Sequence, residues 1–502
     1  MKRLITLALA LVSLVAVEAK DNNQPTHYEP TWESLEKHER IPEWFKDAKL
    51  GIYYHLGPYS VPAFMGEWYA RWMHVESKEH WGAGCYQHHA KTYGEDFGYH
   101  EFIPMLKCEK FDPDEWADLF IKTGARFAGP MAQHHDGFAM WASKINMWNA
   151  KEMGPKRDIM GDMIAALKKR HIYTIATLHH AFNLQRSKEL DTVKWKARGS
   201  YFPHIKGKYT SSDDPKLKYL YGNIPEAEFN DRWLEQCREV IEGYSPDLVW
   251  FDSDLDQVPL KYRQRMTAML FNNGLKDGRD VAVITKQKDL PENIRILDIE
   301  QGGKEGMSED YWLTDLTISS SSGWCYVNGQ EYKSVEMLVR NMIDVWSKRG
   351  VVLLNVSPRA DGVIIDAQRE RLAGIGEWLE KYGEAVYDTR AHSTFGYGDA
   401  AHQAGHFGGQ SATMEYTESD VRFTKSKDGK ALYIFTLGMP KSGSKVEFAN
   451  VTLGDKSAVK RVSLLGSKAK LKWSHSGDKL SFVAPNSSEM NAVATVFKVE
   501  FK

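Results

Sequence analysis

The sequence predicts two structural parts, a (β/α)8-like TIM barrel followed by a C-terminal antiparallel β-sandwich. From about residue 50 to residue 382, short apolar segments alternate with segments of helical periodicity, which is typical of a parallel α/β barrel. Polar residues recur where the apolar segments end. Beyond about residue 390, alternating apolar and polar residues are separated by turns rich in Gly, Asp, Ser and Lys, which favours antiparallel strands.

Composition limits the kinds of partner that the chain can have. With 502 residues, 42% hydrophobic and 26% charged, the chain is long enough for one large globular domain and a smaller one. The formal net charge is −2 and the pI is near 6.8, so no excess of positive charge favours nucleic acid or an anionic membrane as the main partner. The oligomeric state stays open at this point.

The N-terminus, residues 1–19, has the three parts of a secretory signal peptide. Lys2 and Arg3 precede the apolar run 4–17, and Glu18-Ala19 follows it. The run is shorter than the ~20 apolar residues that a membrane-spanning helix needs. We therefore expect an exported protein, periplasmic or secreted, that has no membrane attachment after cleavage.

The chain has four cysteines, and an exported chain permits disulfides without requiring them. A bridge between Cys85 and Cys108 is one option. Cys237 lies among apolar positions of a predicted helix, which favours a buried free thiol. The spacing of the four cysteines matches no zinc motif.

The barrel prediction assigns residues 20–389 to the first domain and residues 390–502 to the second. Its strands are 49–55, 125–132, 173–178, 248–251, 281–285, 294–299 and 351–354. Its helices are 111–123, 158–170, 230–242, 261–271, 334–348 and 367–382. The stretch 62–110, long and rich in aromatic residues and histidine, is predicted to be a functional excursion rather than a connector.

Charged and imidazole side chains stand at the carboxyl ends of the first six of these strands, in chain order His55, His134 with His135, His179, Asp252, Lys286 and Glu300. In such barrels the reacting groups lie at that face, so we expect these side chains to meet. Asp252 ends the strand 248–251, which is apolar throughout, and a charge there is not explained by packing. Asp252 is the candidate nucleophile.

Two kinds of chemistry fit this set. Histidines and carboxylates could bind zinc or a similar ion. They could equally form a sugar pocket, in which imidazoles bind hydroxyls and two carboxyl groups carry out the reaction. His134-His135-Asp136 lacks the helical metal signature of two histidines separated by three residues. The spacing alone leaves both possibilities open.

Several longer motifs resemble one known family, the retaining α-L-fucosidases of glycoside hydrolase family 29, over roughly residues 30–440. The motifs are Ala48-Lys49-Leu50-Gly51-Ile52, His55-Leu56-Gly57-Pro58-Tyr59-Ser60, Glu67-Trp68-Tyr69, His134-His135-Asp136-Gly137-Phe138, Trp250-Phe251-Asp252 and Leu353-Leu354-Asn355-Val356-Ser357-Pro358. The resemblance implies that Asp252 is the nucleophile and that no metal or cofactor takes part. It also implies fucose contacts by His55, Glu67, Trp68, His134 and His135.

The sequence departs from the family pattern at the acid/base. Many members carry a Trp-Glu pair before a Trp-Gly-Tyr segment, whereas this chain has Trp312-Leu313 before Gly323-Trp324-Cys325-Tyr326. The acid must then come from elsewhere. Glu300 is the first choice, with Glu67 and Asp315 as alternatives. Further candidates for substrate binding are His179, which stands near a position where many members have Tyr, together with Trp250, Lys286 and Trp324.

The sequence thus predicts an exo-acting retaining α-L-fucosidase that releases terminal L-fucose from fucosylated glycans by double displacement. Sulfated algal fucan oligosaccharides are among the candidate substrates. Two alternatives stay open. One is a catalytically silent fucose-binding protein, suggested by Leu313, and the other is a metal-dependent hydrolase on the same barrel.

Overall fold

A computed structural model describes residues 25–76, 82–188, 200–286, 288–320, 323–400, 414–454 and 458–502. The predicted signal peptide lies outside the described residues. Eight parallel strands form a closed barrel in chain order. They are β1 Leu50–Tyr54, β2 Phe127–Gln133, β3 Tyr173–Leu178, β4 Leu248–Phe251, β5 Ala282–Lys286, β6 Ile296–Asp298, β7 Trp312–Thr317 and β8 Gly350–Val356. The predicted barrel is confirmed.

Eleven α-helices lie in the described ranges. They are α1 Trp32–Leu35, α2 Glu43–Ala48, α3 Tyr69–Trp72, α4 Cys85–Thr92, α5 Pro113–Thr123, α6 Ile159–Lys169, α7 Leu217–Leu220, α8 Glu226–Tyr244, α9 Leu260–Asp277, α10 Val335–Ser347 and α11 Asp366–Tyr382. Helix α5 shows how sequence sets these bounds. The Asp112 side chain caps its first turn, Pro113 follows at the first helical position, and Gly124 ends it with φ +101°.

Apolar side chains fill the barrel on both sides of its wall. Inside it, residues such as Tyr53, Ile175, Trp250 and Leu313 form one buried cluster. Outside it, the other face of each strand packs against the helices in two larger clusters. Because both faces are buried, these strands are apolar nearly throughout, as parallel sheets require.

Strand β7 is the element that the sequence analysis missed. Trp312 and Leu316 lie in the outer core, whereas Leu313 points into the barrel. Thr314 and Asp315 interrupt the apolar pattern between them, so the segment lacks the continuous apolar run that marks the other strands. Strand β6 is also shorter than expected, at three residues.

The C-terminal part consists of two antiparallel sheets, as predicted. Its strands are β9 Thr389–Tyr397, β10 Val421–Ser426, β11 Ala431–Thr436, β12 Lys445–Phe448, β13 Val459–Leu464, β14 Trp473–Ser476, β15 Lys479–Val483 and β16 Thr495–Phe501. The sheets have the orders β13-β16-β11-β10-β9 and β12-β15-β14. Arg422 of β10 donates to Asp344 of α10 at 2.6 Å, and both side chains are buried where this part meets the barrel.

All four cysteines are free and buried. The bridge considered between Cys85 and Cys108 is therefore not formed, and the prediction of a buried free thiol at Cys237 is confirmed. In the part of the chain that the structure describes, no helix combines the length and the apolar character needed to cross a bilayer.

Candidate active site

The carboxyl ends of the barrel strands bring the predicted side chains together. Strand β2 ends at Gln133, so the next two residues leave the strand geometry and both histidines reach the same site. The ring centroids of His134 and His135 are 4.5 Å apart. His55, following β1, lies 5.8 Å from His134 and 5.4 Å from His179 by the same measure.

Asp252 follows β4 and is held by three side chains. His135 Nε2 and His179 Nδ1 contact its Oδ2 at 3.1 and 3.0 Å, and Lys286 Nζ donates to its Oδ1 at 2.8 Å. Burial opposes the ionisation of Asp252, but the Lys286 ammonium and the histidines outweigh burial and hold the pKa of the carboxyl well below its usual range. Asp252 is therefore a carboxylate at neutral pH.

Lys286, the last residue of β5, joins Asp252 to Glu300. Its ammonium donates to Glu300 Oε2 at 2.9 Å as well as to Asp252 Oδ1. The two oxygens therefore lie less than ~6 Å apart, which allows the separation of about 5–5.5 Å found between the carboxyl groups of retaining glycosidases. The Lys286 side chain is only 4% exposed and lies over the Trp250 ring at 4.8 Å.

Glu300 differs from Asp252 in its protonation. Burial raises the pKa of Glu300 to about 7; the Lys286 ammonium opposes the rise, whereas the negative charges of Asp315 and Asp252 add to it. The site thus holds one ionised carboxylate and one carboxyl group that keeps its proton up to neutral pH. Such a pair separates the roles of nucleophile and acid.

Three of the site histidines are neutral hydrogen-bonding groups. Burial lowers the pKa of His55 to about 3 and also lowers the pKa values of His134 and His179. Two ring nitrogens, His134 Nδ1 and His179 Nε2, are buried and have no hydrogen-bond partner among the described residues. His55 Nδ1 pairs with Asn355 Oδ1 at 2.8 Å, which fixes its ring. The set is suited to binding hydroxyl groups.

Glu67 supports one wall of the site rather than the carboxyl pair. Its Oε2 accepts from the backbone N–H groups of Trp324 and Cys325 at 2.9 and 3.4 Å. Asn355 Nδ2 donates to the Trp324 carbonyl at 2.7 Å, so the Trp324 backbone is held on both sides. The Trp324 ring lies 5.8 Å from that of His55.

The other two predicted tryptophans lie at different depths. The Trp68 ring is 5.3 Å from His135 and half-buried at the mouth. Trp250 lies inside the barrel beneath Lys286, 5.0 Å from the His179 ring. Trp68 is therefore placed to meet a ligand at the mouth, whereas Trp250 forms the floor.

Within the described ranges, two sets of side chains are spaced closely enough to hold a metal ion. One ring nitrogen from each of His55, His134 and His179 lies within 4.8 Å of the others. The second set is His135, His179 and Asp252. In the second set the Asp252 carboxylate also accepts from Lys286, so a metal there would face an ammonium. That contact disfavours the second set.

The sequence analysis missed three buried residues of the site. Asn355 was noted only as part of a motif, and Tyr53 and Asp298 were read as strand residues. Tyr53 donates its hydroxyl to Asp315 Oδ2 at 3.1 Å. A carboxyl group within the apolar segment 294–299 was the available signal for Asp298, because a buried strand carries a charge only when a partner compensates for it.

A parallel barrel that gathers two carboxyl groups of unequal acidity and several neutral imidazoles at one face has the architecture of a barrel glycoside hydrolase. The family model described as alpha-L-fucosidase matches residues 15–384, and the alpha-L-fucosidase C-terminal domain matches residues 414–500. The chain belongs to the α-L-fucosidase family, glycoside hydrolase family 29, and is a glycoside hydrolase.

Relatives match nearly the whole chain. The tissue alpha-L-fucosidase of Rattus norvegicus is 27% identical over 484 residues, 93% of this chain and 90% of its own. The tissue alpha-L-fucosidase of Homo sapiens is 27% identical over 499 residues, 98% and 95% of the two chains. The crystal structure of Thermotoga maritima alpha-fucosidase in complex with fucose aligns with a TM-score of 0.72 and 28% identity, over 94% of this chain and 100% of that one.

Proposed function

We propose that the protein is an exported, exo-acting α-L-fucosidase that works with retention of configuration. The observation that carries the proposal is the single ammonium of Lys286 in contact with both Asp252 and Glu300. The contact keeps one oxygen of each carboxyl group within ~6 Å of the other, and this supports a double displacement, which needs carboxyl groups about 5–5.5 Å apart. Terminal L-fucose on an oligo- or polysaccharide is the substrate, and sulfated fucan oligosaccharides belong in the first panel to be tested.

In the first step Asp252 Oδ attacks the anomeric carbon while Glu300 gives its proton to the leaving oxygen. This forms a fucosyl ester on Asp252 and releases the rest of the glycan as an alcohol. In the second step the ionised Glu300 removes a proton from water, the water oxygen attacks the anomeric carbon, and the ester bond to Asp252 breaks. Fucose leaves with its original anomeric configuration.

The neutral imidazoles supply the sugar pocket in this proposal. His134 Nδ1 and His179 Nε2 have no hydrogen-bond partner among the described residues, so hydroxyls of fucose would satisfy them. Trp324 and Trp68 supply apolar surface for the sugar ring and its methyl group. Glu67 contributes by holding the wall that carries Trp324.

The test is chemical trapping of the nucleophile. A 2-fluoro-fucosyl reagent should label Asp252, and Asp252→Asn should keep the fold while turnover is lost, because the amide is nearly isosteric but a poor nucleophile. NMR of the first-formed sugar should show α-fucose. A label on Glu300, or β-fucose as the first product, contradicts the proposal. Fucose binding without any fucose release would instead select the silent binding protein.

A further inference from the structure

A second pair of carboxyl groups lies directly beneath the proposed catalytic pair. Asp298, the last residue of β6, accepts the backbone N–H of Asp315 on its Oδ1 at 3.1 Å. Asp315, on β7, accepts the Tyr53 hydroxyl on its Oδ2, and the same oxygen lies 3.6 Å from Lys286 Nζ. Both carboxyl groups are 1% exposed. Neither has a role in the two steps above.

Charge counting shows that this group of side chains must retain protons. One ammonium, that of Lys286, faces four buried carboxyl groups, which are those of Asp252, Asp298, Glu300 and Asp315. Four buried negative charges against one positive charge would leave several charges without compensation, at a cost of several kcal/mol each. Neutralisation by protons is the usual outcome.

The hydrogen bonds indicate where one proton lies. Asp298 Oδ2 and Asp315 Oδ1 are buried acceptors with no donor among the described residues. A proton shared between these neighbouring carboxyl groups would satisfy both oxygens. Burial and then the charge of Asp315 raise the pKa of Asp298 well above its usual range, and a hydrogen bond between the two side chains adds to the rise.

We propose that Asp298 and Asp315 share one proton and act as a positioning pair, whose single negative charge beneath Lys286 lets Glu300 keep its own proton. The inference rests on the proposed role of Glu300. Without the pair, only burial and Asp252 would oppose the Lys286 ammonium, so Glu300 would lose its proton at a lower pH. The negative charge of the pair, which lies beneath Lys286, opposes the effect of the ammonium on Glu300.

The groups that act on Glu300 come from five strands. Lys286 at the end of β5 favours its ionised form, whereas Asp252 after β4 and Asp315 on β7 oppose ionisation. Asp298 on β6 and Tyr53 on β1 contact Asp315, and Asp298 also interacts directly with the charge of Glu300. His135 and His179, which follow β2 and β3, contact the Asp252 carboxylate.

The test compares the pH dependence of kcat/KM in two variants that differ by one charge. Asp298→Asn leaves the negative charge on Asp315. The fall of kcat/KM at high pH, the basic limb of the profile, should therefore occur at the same pH in this variant as in the wild type. Asp298→Asn/Asp315→Asn removes the charge, so its basic limb should move to lower pH by about one unit. The proposal is overturned if the basic limb of the double variant lies at the wild-type pH. It is also overturned if Asp298→Asn alone shifts the basic limb as far as the double variant does.

A second measurement does not depend on activity or on the double variant folding. At pH 7 the infrared spectrum of Asp298→Asn should lack the C=O stretch of one neutral carboxyl group that the wild type shows; an unchanged band overturns the shared proton. Glu300→Gln separates this proposal from the function that it rests on. If the basic limb persists in Glu300→Gln, the acid role of Glu300 is wrong whatever the pair does.

Discussion

Replacing Glu300 by alanine is the most informative single change, because the effect depends on the leaving group. A positioned general acid contributes about 10²–10⁴ in rate, so kcat/KM for a fucosylated oligosaccharide should fall by that factor, about 3–5 kcal/mol in activation free energy. An aryl fucoside with a strongly acidic phenol needs no protonation of its leaving group, so the first step should keep appreciable cleavage.

The pH dependence of kcat/KM follows from the protonation of Glu300. The pKa of Glu300 is about 7, so wild-type kcat/KM should decline above that pH, and the decline should be absent from Glu300→Ala.

Azide supplies the second part of this assay. In Glu300→Ala it can enter the space of the lost carboxyl group and attack the fucosyl ester on Asp252 from the face that water uses. The product should be α-fucosyl azide, and the turnover of the aryl fucoside should rise with azide concentration. Loss of the nucleophile instead opens the opposite face, so Asp252→Gly should give β-fucosyl azide.

Glu67→Ala and Asp315→Ala are the matched controls, because both residues are buried carboxyl groups in the same site region. Neither should show azide rescue, since Glu67 holds backbone N–H groups and Asp315 lies beneath Lys286. Rescue in either control, with none in Glu300→Ala, would refute the reasoning and move the acid/base role to that residue.

Three further outcomes are expected. His55→Ala and His134→Ala should each raise KM and lower kcat, because each removes a buried hydrogen-bonding group. The loss in kcat/KM should correspond to about 1–3 kcal/mol. Wild-type steady-state kinetics in both variants would exclude these residues from the sugar pocket. EDTA should leave activity unchanged. Zinc ions should inhibit in competition with fucose, because the imidazoles of His55, His134 and His179 would bind the ion in the space proposed for the sugar. Activation by zinc would instead favour the metal-dependent hydrolase. Arg422→Met should reduce the free energy of unfolding by about 1.5–3 kcal/mol, because buried Asp344 loses one charged hydrogen-bond partner and keeps the other, Lys348. Arg461→Met, whose side chain is mostly exposed, is the control in denaturant melts.

The sequence predicted the parts of the site that stand at strand ends, and the reason is geometric. Parallel strands bring their carboxyl ends to one face, so His55, Asp252 and Glu300 could be placed together without coordinates. The interaction that relates them, the shared contact with Lys286, could not be predicted, because side-chain reach across two strands leaves no local pattern. Lys286 was named as a strand-end residue and a candidate for substrate binding, not as the link between the two carboxyl groups.

Strand β7 and the pair beneath the site were missed for one common reason. A buried strand is recognised by its apolar residues, and Asp315 breaks that pattern in β7. Carboxyl groups are tolerated there because Tyr53, Lys286 and a neighbouring carboxyl group compensate for them inside the barrel. The compensating groups are far apart in the sequence, so Asp315 could be named only as an alternative acid/base and Asp298 only as part of a strand.

The way in which the Trp324 segment is held bears on how the specificity of this protein can change. Glu67 binds backbone N–H groups of Trp324 and Cys325, and Asn355 binds the Trp324 carbonyl. None of these bonds involves the side chain of either residue. The wall of the pocket is thus attached by its main chain, and the side chain at 324 can be exchanged while these bonds remain, whereas Cys325 is fully buried in the core. Substitution there is a route to accepting bulkier or charged sugars on an unchanged catalytic centre.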